Sequence, residues 1–313
     1  MTRFETPRVA IVGTGEIGRG WAALAVAAGW PVIIYDSDSD SLAAAADAIT
    51  DRVVNLVRLR RAEPAVAEDA LNLMRVGRSL LQAVNEADWI IEAAGEDSAL
   101  KQKLLRQIEE VCRRAAILTT SSQGMSPSAL AGRLVRPDRF LLARPLRPVE
   151  LVPLVEVVPG PATDPACVED VRFWLGLLGR AAIVFKKEVP GNFVGRIEAA
   201  VWRECIHLVL DGVLDVEDVD RAMAVGPALL WAAAGPHLDR HLDSGGSGIA
   251  VQLPRALSAS EEIWKVLAEW KHLNTDDQHR LIKLLEKAYG RFLPELKEAR
   301  DKRLARLLEA MRE

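Results

Sequence analysis

Histidine and cysteine are both scarce in this chain of 313 residues. The three cysteines, Cys112, Cys167 and Cys205, lie far apart and show no C-x-x-C spacing. This count and spacing predict neither a disulfide framework nor a thiolate metal site, and we expect core thiols in a reducing cytoplasm. All five histidines fall at or after His207, so the nucleotide-binding region proposed below contains no imidazole.

No apolar run is long enough to span a bilayer, and no charged-then-apolar leader precedes the first predicted strand. We therefore expect no transmembrane helix, no signal peptide and no membrane partner. The net charge of −4 comes without any long run of like charges, so nucleic acid is not an expected partner. Half of the residues are hydrophobic, which is typical of a globular protein, and the length predicts two domains.

The clearest motif follows four apolar residues at Val9–Val12, which predict a buried strand. A complete G-x-G-x-x-G follows at Gly13, Gly15 and Gly18, and a helical apolar spacing begins at Trp21. In such turns the first glycine permits the tight turn, the second lets the backbone approach a pyrophosphate, and the third lets helix and strand pack closely. The free N–H groups at the helix start would hold the anion.

A second predicted strand, Val32 to Tyr35, ends in Asp36, where a carboxylate can accept both ribose hydroxyls of an adenosine. No lysine or arginine lies between Arg19 and Arg52 to neutralise a 2′-phosphate. The pattern therefore favours NAD over NADP. The alternative is a glycine turn in an αβ unit that binds no nucleotide.

Further strands alternate with helices as far as Phe185, which predicts an α/β fold with a Rossmann-type, doubly wound, mostly parallel sheet. Ala94 ends one of these strands, and Glu96 and Lys101 follow it at the carboxyl edge, the side on which dinucleotides lie. Glu96 and Lys101 are placed to touch the nicotinamide ribose, unless Lys101 is simply a solvated helix residue. We assign Ser121, at the end of the next strand, to the same cofactor site.

From Phe193 onward the sequence shows only helical periodicity, and Pro190-Gly191 marks the change. We therefore expect an NAD-binding domain at 1–188 and an all-helical C-terminal domain for substrate and dimerisation at 189–313. A helical domain behind a nucleotide fold predicts a substrate cleft between the two.

Four segments carry a resemblance to a known family. They are VGTGEIGRGW at Val12–Trp21, EDxxLK at Glu96–Lys101, PxxxxxxxPLVE at Pro145–Glu156, and KEVPG with Arg196 after it. In these segments, and over nearly its whole length, the chain resembles the 3-hydroxyacyl-CoA dehydrogenase family. It is most similar to the branch that contains lambda-crystallin, L-gulonate 3-dehydrogenase and carnitine dehydrogenase.

This resemblance implies a two-domain NAD enzyme that dimerises through its helical domain and oxidises a hydroxyl β to a carboxylate or thioester. The family's chemistry implies a histidine base and a glutamate that holds the imidazole. It also implies serine and asparagine side chains that hold the substrate oxygens.

Most of that apparatus is replaced in this chain. Arg144 stands where the family has its histidine, and Arg147 and Gly195 stand where it has two asparagines. Gln123 stands where the family has its serine. Only the orienting glutamate remains, as Glu156.

A guanidinium cannot replace the histidine as a base, because it stays protonated at any working pH. Beside Glu156, a buried Arg144 should form an ion pair. That pair is either a structural salt bridge in a site that has lost its chemistry, or part of an anion clamp. In the second case Arg144 and Arg147 bind an anionic group or polarise a carbonyl oxygen as hydride arrives. His237 and His241 are a possible source of a base, but with no third ligand they predict no metal site.

The sequence thus predicts an NAD-dependent oxidoreductase that acts on a small anionic hydroxy or oxo acid, or on an acyl thioester, through a rearranged active site. The alternatives are an NAD-binding sensor or structural homologue without turnover, and non-redox chemistry such as acyl transfer or cyclisation in the same cleft. We expect a cytoplasmic homodimer. The predicted catalytic residues are Arg144, Glu156, Gln123 and Arg147. The predicted cofactor-binding residues are Gly13, Gly15, Glu16, Ile17, Gly18, Asp36, Ala94, Glu96, Lys101 and Ser121.

Overall fold

Eight short strands form a single sheet in the computed structural model, which describes residues 6–244, 249–291 and 293–311. The central strands are apolar and buried on both faces, as expected for a sheet with helices on each side. The strands are β1 (Val9–Val12), β2 (Val32–Tyr35), β3 (Arg75–Val76), β4 (Trp89–Glu92), β5 (Ile117–Thr120), β6 (Phe140–Pro145), β7 (Leu154–Pro159) and β8 (Ala181–Val184).

The strand order is β3-β2-β1-β4-β5-β6-β7-β8. Every neighbouring pair is parallel except β6 and β7, which are antiparallel. The direction of the order reverses between β1 and β4, and in such sheets ligands bind beyond the carboxyl ends of the strands at that point. The predicted Rossmann-type, mostly parallel sheet is confirmed.

Helices cover both faces of this sheet. The helices of this part are α1 (Glu16–Ala27), α2 (Ser39–Ala43), α3 (Ala45–Arg58), α4 (Pro64–Leu73), α5 (Leu80–Val84), α6 (Ser98–Val111), α7 (Pro127–Ala131) and α8 (Pro165–Leu177). One face of the sheet packs against α1, α3, α4 and α8, and the other packs against α5, α6 and α7. A short 3₁₀ helix at Pro137–Arg139 precedes β6.

Four buried tryptophans form the centre of the core between the sheet and the helices α1, α3, α4 and α8. The ring of Trp89 stacks on Trp174 with centroids 5.4 Å apart, and it meets Trp21 and Trp30 edge to face at 5.9 and 6.5 Å. The indole N–H of Trp89 donates to the Oγ1 of Thr119 at 3.0 Å, so its polar atom is satisfied inside the core. Trp89 therefore ties α1 and α8 to the middle of the sheet.

The chain divides into two compact units, one ending at Phe193 and the other beginning at Val194. In the described part of the second unit every regular element is a helix, which confirms the predicted helical C-terminal domain. No described helix combines the length and the apolar character needed to cross a membrane. The helices are α9 (Asn192–Leu210), α10 (Val216–Val225), α11 (Pro227–Ala234), α12 (Pro236–Leu242), α13 (Ile249–Trp264), α14 (Thr275–Tyr289) and α15 (Pro294–Ala310).

The core of the second unit is small and leaves much apolar surface exposed. Its buried members come from α9, α10 and α14, whereas α11, α12 and α13 bury no described side chain. Trp202, Leu230 and Trp264 are among the large apolar side chains that remain exposed. Apolar surface of this extent usually marks an interaction site.

Trp89→Ala is expected to lower the free energy of unfolding of the first unit by about 3–5 kcal/mol, because it removes the ring that contacts three other tryptophans and leaves a cavity. Thermal and urea unfolding followed by far-ultraviolet circular dichroism measures this change. Leu100→Ala is the control, since Leu100 lies on α6 with an exposed side chain. Equal stability of the two variants would contradict the central role of Trp89.

Candidate active site at the carboxyl edge of the sheet

The glycine-rich turn between β1 and α1 is shaped to receive a phosphate. Gly13 adopts a φ of +102°, and a Cβ there would lie 2.6 Å from backbone atoms of Ala93 and Ala94. A Cβ on Gly18 would lie 1.9 Å from the carbonyl oxygen of Gly13. A Cβ on Gly15, by contrast, would meet no described atom within 4 Å, and the N-terminus of α1 has no side-chain cap. The turn therefore offers open space and the backbone N–H groups at the start of α1 to an anion.

Asp36 follows β2 and lies beside this turn. Its Oδ2 accepts hydrogen bonds from the backbone N and the Oγ1 of Thr14 at 2.6 and 3.0 Å. Its Oδ1 accepts one from the backbone N of Asp38 at 3.0 Å. The Oγ1 of Thr14 also lies 3.0 Å from the Oγ of Ser41. The carboxylate is thus held in place, with about one lone pair left for a hydroxyl donor. The fingerprint singled out neither Thr14 nor Ser41.

Lys101 forms a buried ion pair with Glu92, the last residue of β4, and the two side chains are 1% and 0% exposed. Its ammonium donates to Oε1 and Oε2 of Glu92 at 2.7 and 2.8 Å and to the carbonyl of Ala94 at 3.2 Å. Glu92 also accepts from the backbone N of Ala94 at 2.8 Å and from the Oγ1 of Thr120 at 2.6 Å.

The alternative of a solvated Lys101 is therefore wrong. An ammonium has three donors, and Lys101 uses all of them inside the protein. Its predicted contact with the cofactor stays a prediction, and that contact requires the pair with Glu92 to open. What the structure adds is a role in fixing the segment that follows β4, which includes Ala94.

Glu96 joins the segment after β4 to the segment after β5. Its carboxylate accepts from the Oγ of Ser122 at 2.6 Å and from the backbone N of Gln123 at 3.0 Å. Ser122 is buried, whereas the side chain of Gln123 is exposed. Two predicted site residues, Glu96 and Gln123, therefore lie together. Ser122 was missed because the family's serine was aligned with its neighbour Gln123.

Ser121, which precedes Ser122 in the sequence, is also buried. Its Oγ accepts from the indole N–H of Trp21 at 3.0 Å and donates to the carbonyl of Ala143 at 3.2 Å. It thereby connects α1 to the ends of β5 and β6. The cofactor contact predicted for Ser121 stays a prediction, because its buried hydroxyl already has these two partners.

Arg144 and Glu156 stand opposite each other where β6 and β7 pair. The Nη1 of Arg144 donates to the Oε2 of Glu156 at 2.6 Å, and the two side chains are 10% and 1% exposed. The Oε1 of Glu156 accepts from the backbone N of Phe193 at 3.0 Å. The predicted ion pair is confirmed. The Nε of Arg144 is buried and has no hydrogen-bond partner among the described residues, so this donor is unsatisfied.

Arg147 follows in the turn after β6, and its side chain is exposed. Within the described ranges it forms no ion pair. Its charge is therefore available to an anion, in contrast to the charge of Arg144, which Glu156 balances.

Burial makes the three cysteines poor nucleophiles. It raises the pKa of the Cys167 thiol to about 11, and it also raises the pKa of Cys112 and of Cys205. All three thiols are free. Because the thiolate is the reactive form, no cysteine is a candidate for covalent catalysis at neutral pH.

Histidine is equally absent from the unit that carries Arg144 and Glu156, because the first histidine of the chain is His207. His237 and His241 lie exposed on α12. In residues 6–244, 249–291 and 293–311, no group of three histidine, cysteine or acidic side chains is arranged to hold a metal. The first unit thus offers a fixed cation, and no imidazole, beside Glu156.

Comparison with known proteins identifies the family. Residues 8–189 match the NAD binding domain of 3-hydroxyacyl-CoA dehydrogenase, and residues 191–283 match the C-terminal domain of the same enzyme. The chain belongs to the 3-hydroxyacyl-CoA dehydrogenase family. The predicted family resemblance is confirmed.

Relatives within the family include L-carnitine dehydrogenases. Those of Bacillus cereus and Pseudomonas aeruginosa are each 32% identical to this chain; the alignments cover 99% of it and 94% and 95% of those proteins. Among solved structures, an NAD⁺-dependent dismutase, 5-formyl-3-hydroxy-2-methylpyridine 4-carboxylic acid 5-dehydrogenase, is 25% identical with a TM-score of 0.82 over 99% of both chains. The predicted branch with carnitine dehydrogenase is therefore confirmed.

The residues described above fit NAD, the cofactor of this family. The open turn at Gly15 and the first N–H groups of α1, at Glu16 and Ile17, suit the pyrophosphate. Asp36 suits the adenosine ribose. The protein is an NAD-dependent dehydrogenase, as predicted.

Lys101→Met is expected to lower the free energy of unfolding by about 3–5 kcal/mol, because it leaves the buried carboxylate of Glu92 without a counter-charge. Thermal and urea unfolding measure the loss. Lys103→Met is the matched control, since Lys103 lies on the same helix with an exposed side chain. A Lys101 variant as stable as the Lys103 variant would show that the ion pair does not hold this edge of the sheet.

Proposed function

We propose that this dehydrogenase reduces the carbonyl group of a small oxo acid, and that Arg144 stabilises the oxygen on which negative charge develops. The observation that carries the proposal is the buried Nε of Arg144, which lacks an acceptor among the described residues while the same guanidinium is bonded to Glu156. A preorganised donor of this kind is what a developing oxyanion needs.

We infer the reductive direction of the reaction from the chemistry of arginine. Oxidation of an alcohol releases a proton from the hydroxyl, and a guanidinium cannot accept it. Reduction instead requires a donor of a proton to the oxygen of the former carbonyl group. NADH, which the turn at Gly15 and the carboxylate of Asp36 would hold, would supply the hydride to the carbonyl carbon. Arg144 then donates a hydrogen bond to the oxygen that receives the C=O electron pair, and a proton from water completes the hydroxyl.

Glu156 orients Arg144 in this scheme. Its Oε2 accepts from Nη1 of Arg144 at 2.6 Å, and the Nε of the same guanidinium, which has no partner among the described residues, is the proposed donor to the substrate. Its charge also balances that of the guanidinium, so the pair adds no net charge to a buried place. Gln123, exposed beside Glu96, is a further candidate for a substrate contact.

The substrate class follows from Arg147 and from the relatives. Arg147 is exposed and forms no ion pair within the described ranges, so it suits a substrate carboxylate. L-carnitine, the substrate in the names of the relatives, is a 3-hydroxy acid, and its oxidised counterpart is a 3-oxo acid. We therefore infer a small oxo acid with the carbonyl β to its carboxylate, or the matching acyl thioester.

We further infer a cytoplasmic homodimer that associates through the helical domain. The exposed apolar side chains of α9, α11 and α13 support this assembly. Three free cysteine thiols suit a reducing compartment.

Arg144→Gln is expected to lower kcat for oxo-acid reduction by about 100-fold or more, the usual effect of removing one oxyanion donor. Arg147→Gln is expected to raise KM and to leave kcat nearly unchanged, because it removes binding that ground state and transition state share. NADH consumption is followed by its absorbance over a panel of 3-oxo and 2-oxo acids.

Unchanged kcat in the Arg144 variant, or turnover in which no NADH is oxidised, would contradict the proposed reaction. The second result would instead favour non-redox chemistry in the same site. Binding of NADH to the Arg144 variant, measured by fluorescence, is the control that the nucleotide site is intact.

Light scattering of the purified protein is expected to give twice the 34.3 kDa mass of one chain. The physical reason is the exposed apolar surface, which a second copy would cover. A mass of one chain at micromolar concentration would contradict the dimer and would leave that surface to another partner.

A further inference from the structure

A chain of ion pairs runs from the first residue of α1 to the turn between β6 and β7. Arg52, on α3, donates from Nη2 to Glu16 at 2.7 Å and from Nη1 to Glu150 at 2.6 Å. The side chains of Arg52 and Glu150 are 19% and 9% exposed, whereas that of Glu16 is 57% exposed. Arg52 is therefore held from its buried side and reaches out to the exposed end of α1.

Glu150 is a fixed anchor for this chain, because its turn is fastened on two sides. The guanidinium of Arg180 donates to the carbonyls of Val149, Glu150 and Val152 at 3.4, 3.5 and 3.2 Å. On the other side, a Cβ at Gly20 of α1 would lie 2.5 Å from the Cβ of Val149. The backbone of α1 thus packs directly against the turn, and Glu150 cannot shift without moving the cofactor-binding helix.

Glu16 creates an electrostatic problem for the cofactor site. A carboxylate in the first turn of a helix interacts favourably with the helix dipole. A dinucleotide, however, brings the negative charges of its pyrophosphate to the same N–H groups. Without a counter-charge, Glu16 would repel the group that the turn at Gly15 is shaped to bind.

Arg52 supplies a permanent counter-charge at this position. Burial alone would lower the pKa of Arg52, but its hydrogen bond to Glu16 and the charges of Glu150 and Glu16 raise that pKa above the usual arginine value. The guanidinium thus stays charged at any pH at which the protein is folded. Its place is specified by two carboxylates, one of them buried.

We propose that Arg52 is a cofactor-positioning residue: anchored by Glu150, it neutralises Glu16 and so allows the N-terminus of α1 to bind the pyrophosphate of NAD. Arg52 acts through Glu16 in this account, and no direct contact between Arg52 and the cofactor is required. The proposal rests on the NAD binding of the family and is independent of the substrate and direction proposed above.

A double-mutant cycle that removes the charges of Arg52 and Glu16 tests this proposal, with the Kd for NADH as the measured quantity. Arg52→Met, Glu16→Gln and the double variant are titrated with NADH at low ionic strength, and binding is followed by nucleotide fluorescence. Arg58→Met is the matched control, because it removes one exposed positive charge from the same helix. No substrate is present, so the result does not depend on the proposed reaction.

Arg52→Met is expected to raise the Kd for NADH by about ten-fold, which corresponds to about 1.4 kcal/mol. Arg58→Met is expected to change Kd by no more than about two-fold. The double variant is expected to stay within about three-fold of Glu16→Gln, since contacting charges are coupled. The weakening in Arg52→Met is also expected to shrink as salt is added.

Two results would overturn the proposal. One is a Kd for Arg52→Met within about two-fold of the wild type. The other is a double variant that binds NADH as weakly as Arg52→Met. Both Arg52 variants leave Glu150 without its partner, so a difference between them reports on Glu16 and not on a general loss of stability. Thermal unfolding without NADH sets a temperature at which all four variants are folded.

Discussion

The guanidinium of Arg144 and the carboxylate of Glu156 face each other across the antiparallel strands β6 and β7. The Nη1 of Arg144 lies 2.6 Å from the Oε2 of Glu156, and both side chains are largely buried. Removing one charge from such a pair leaves the other buried without compensation, which typically costs several kcal/mol. In the proposed function, the pair places a permanent cation where the family resemblance implies an imidazole. A permanent cation cannot take up a proton, but it can hold an oxygen that becomes negative. The proposed direction of the reaction and the need for a proton from water both follow from that one constraint.

The same arrangement recurs along this edge of the molecule. Three buried carboxylates, Glu92, Glu150 and Glu156, each bind a cation from another segment of the chain; these cations are Lys101, Arg52 and Arg144 respectively. Glu92 ends β4, Glu156 lies in β7, and Glu150 lies in the turn between β6 and β7. Because paired charges in a dry environment tolerate little displacement, these contacts keep the ends of the strands and the start of α1 in a defined geometry. A dehydrogenase depends on such order, since hydride transfer requires close alignment of cofactor and substrate.

The nucleotide half of the site could be predicted because its determinants are local in sequence. The strand, the three glycines and Asp36 occupy one βαβ unit, and each residue type has a direct geometric reason. The burial of Lys101 could not be predicted, because a lysine on an amphipathic helix looks solvated until the carboxylate of Glu92 is known to point toward it. Arg52 and Glu150 are 98 residues apart and meet only because α3 and the β6–β7 turn both pack on α1. The Arg144–Glu156 pair could be predicted from the sequence only through the resemblance to the family, since the local sequence pattern does not predict an ion pair.

A crystal structure of the protein with NADH and an unreactive small dicarboxylate tests the central claim most directly. The account predicts a ligand oxygen within about 3 Å of the Nε of Arg144, while the Nη1 of the same guanidinium remains bonded to Glu156. A ligand bound elsewhere, with the Nε of Arg144 still lacking an acceptor, or a guanidinium turned away from Glu156 to face solvent, would contradict it.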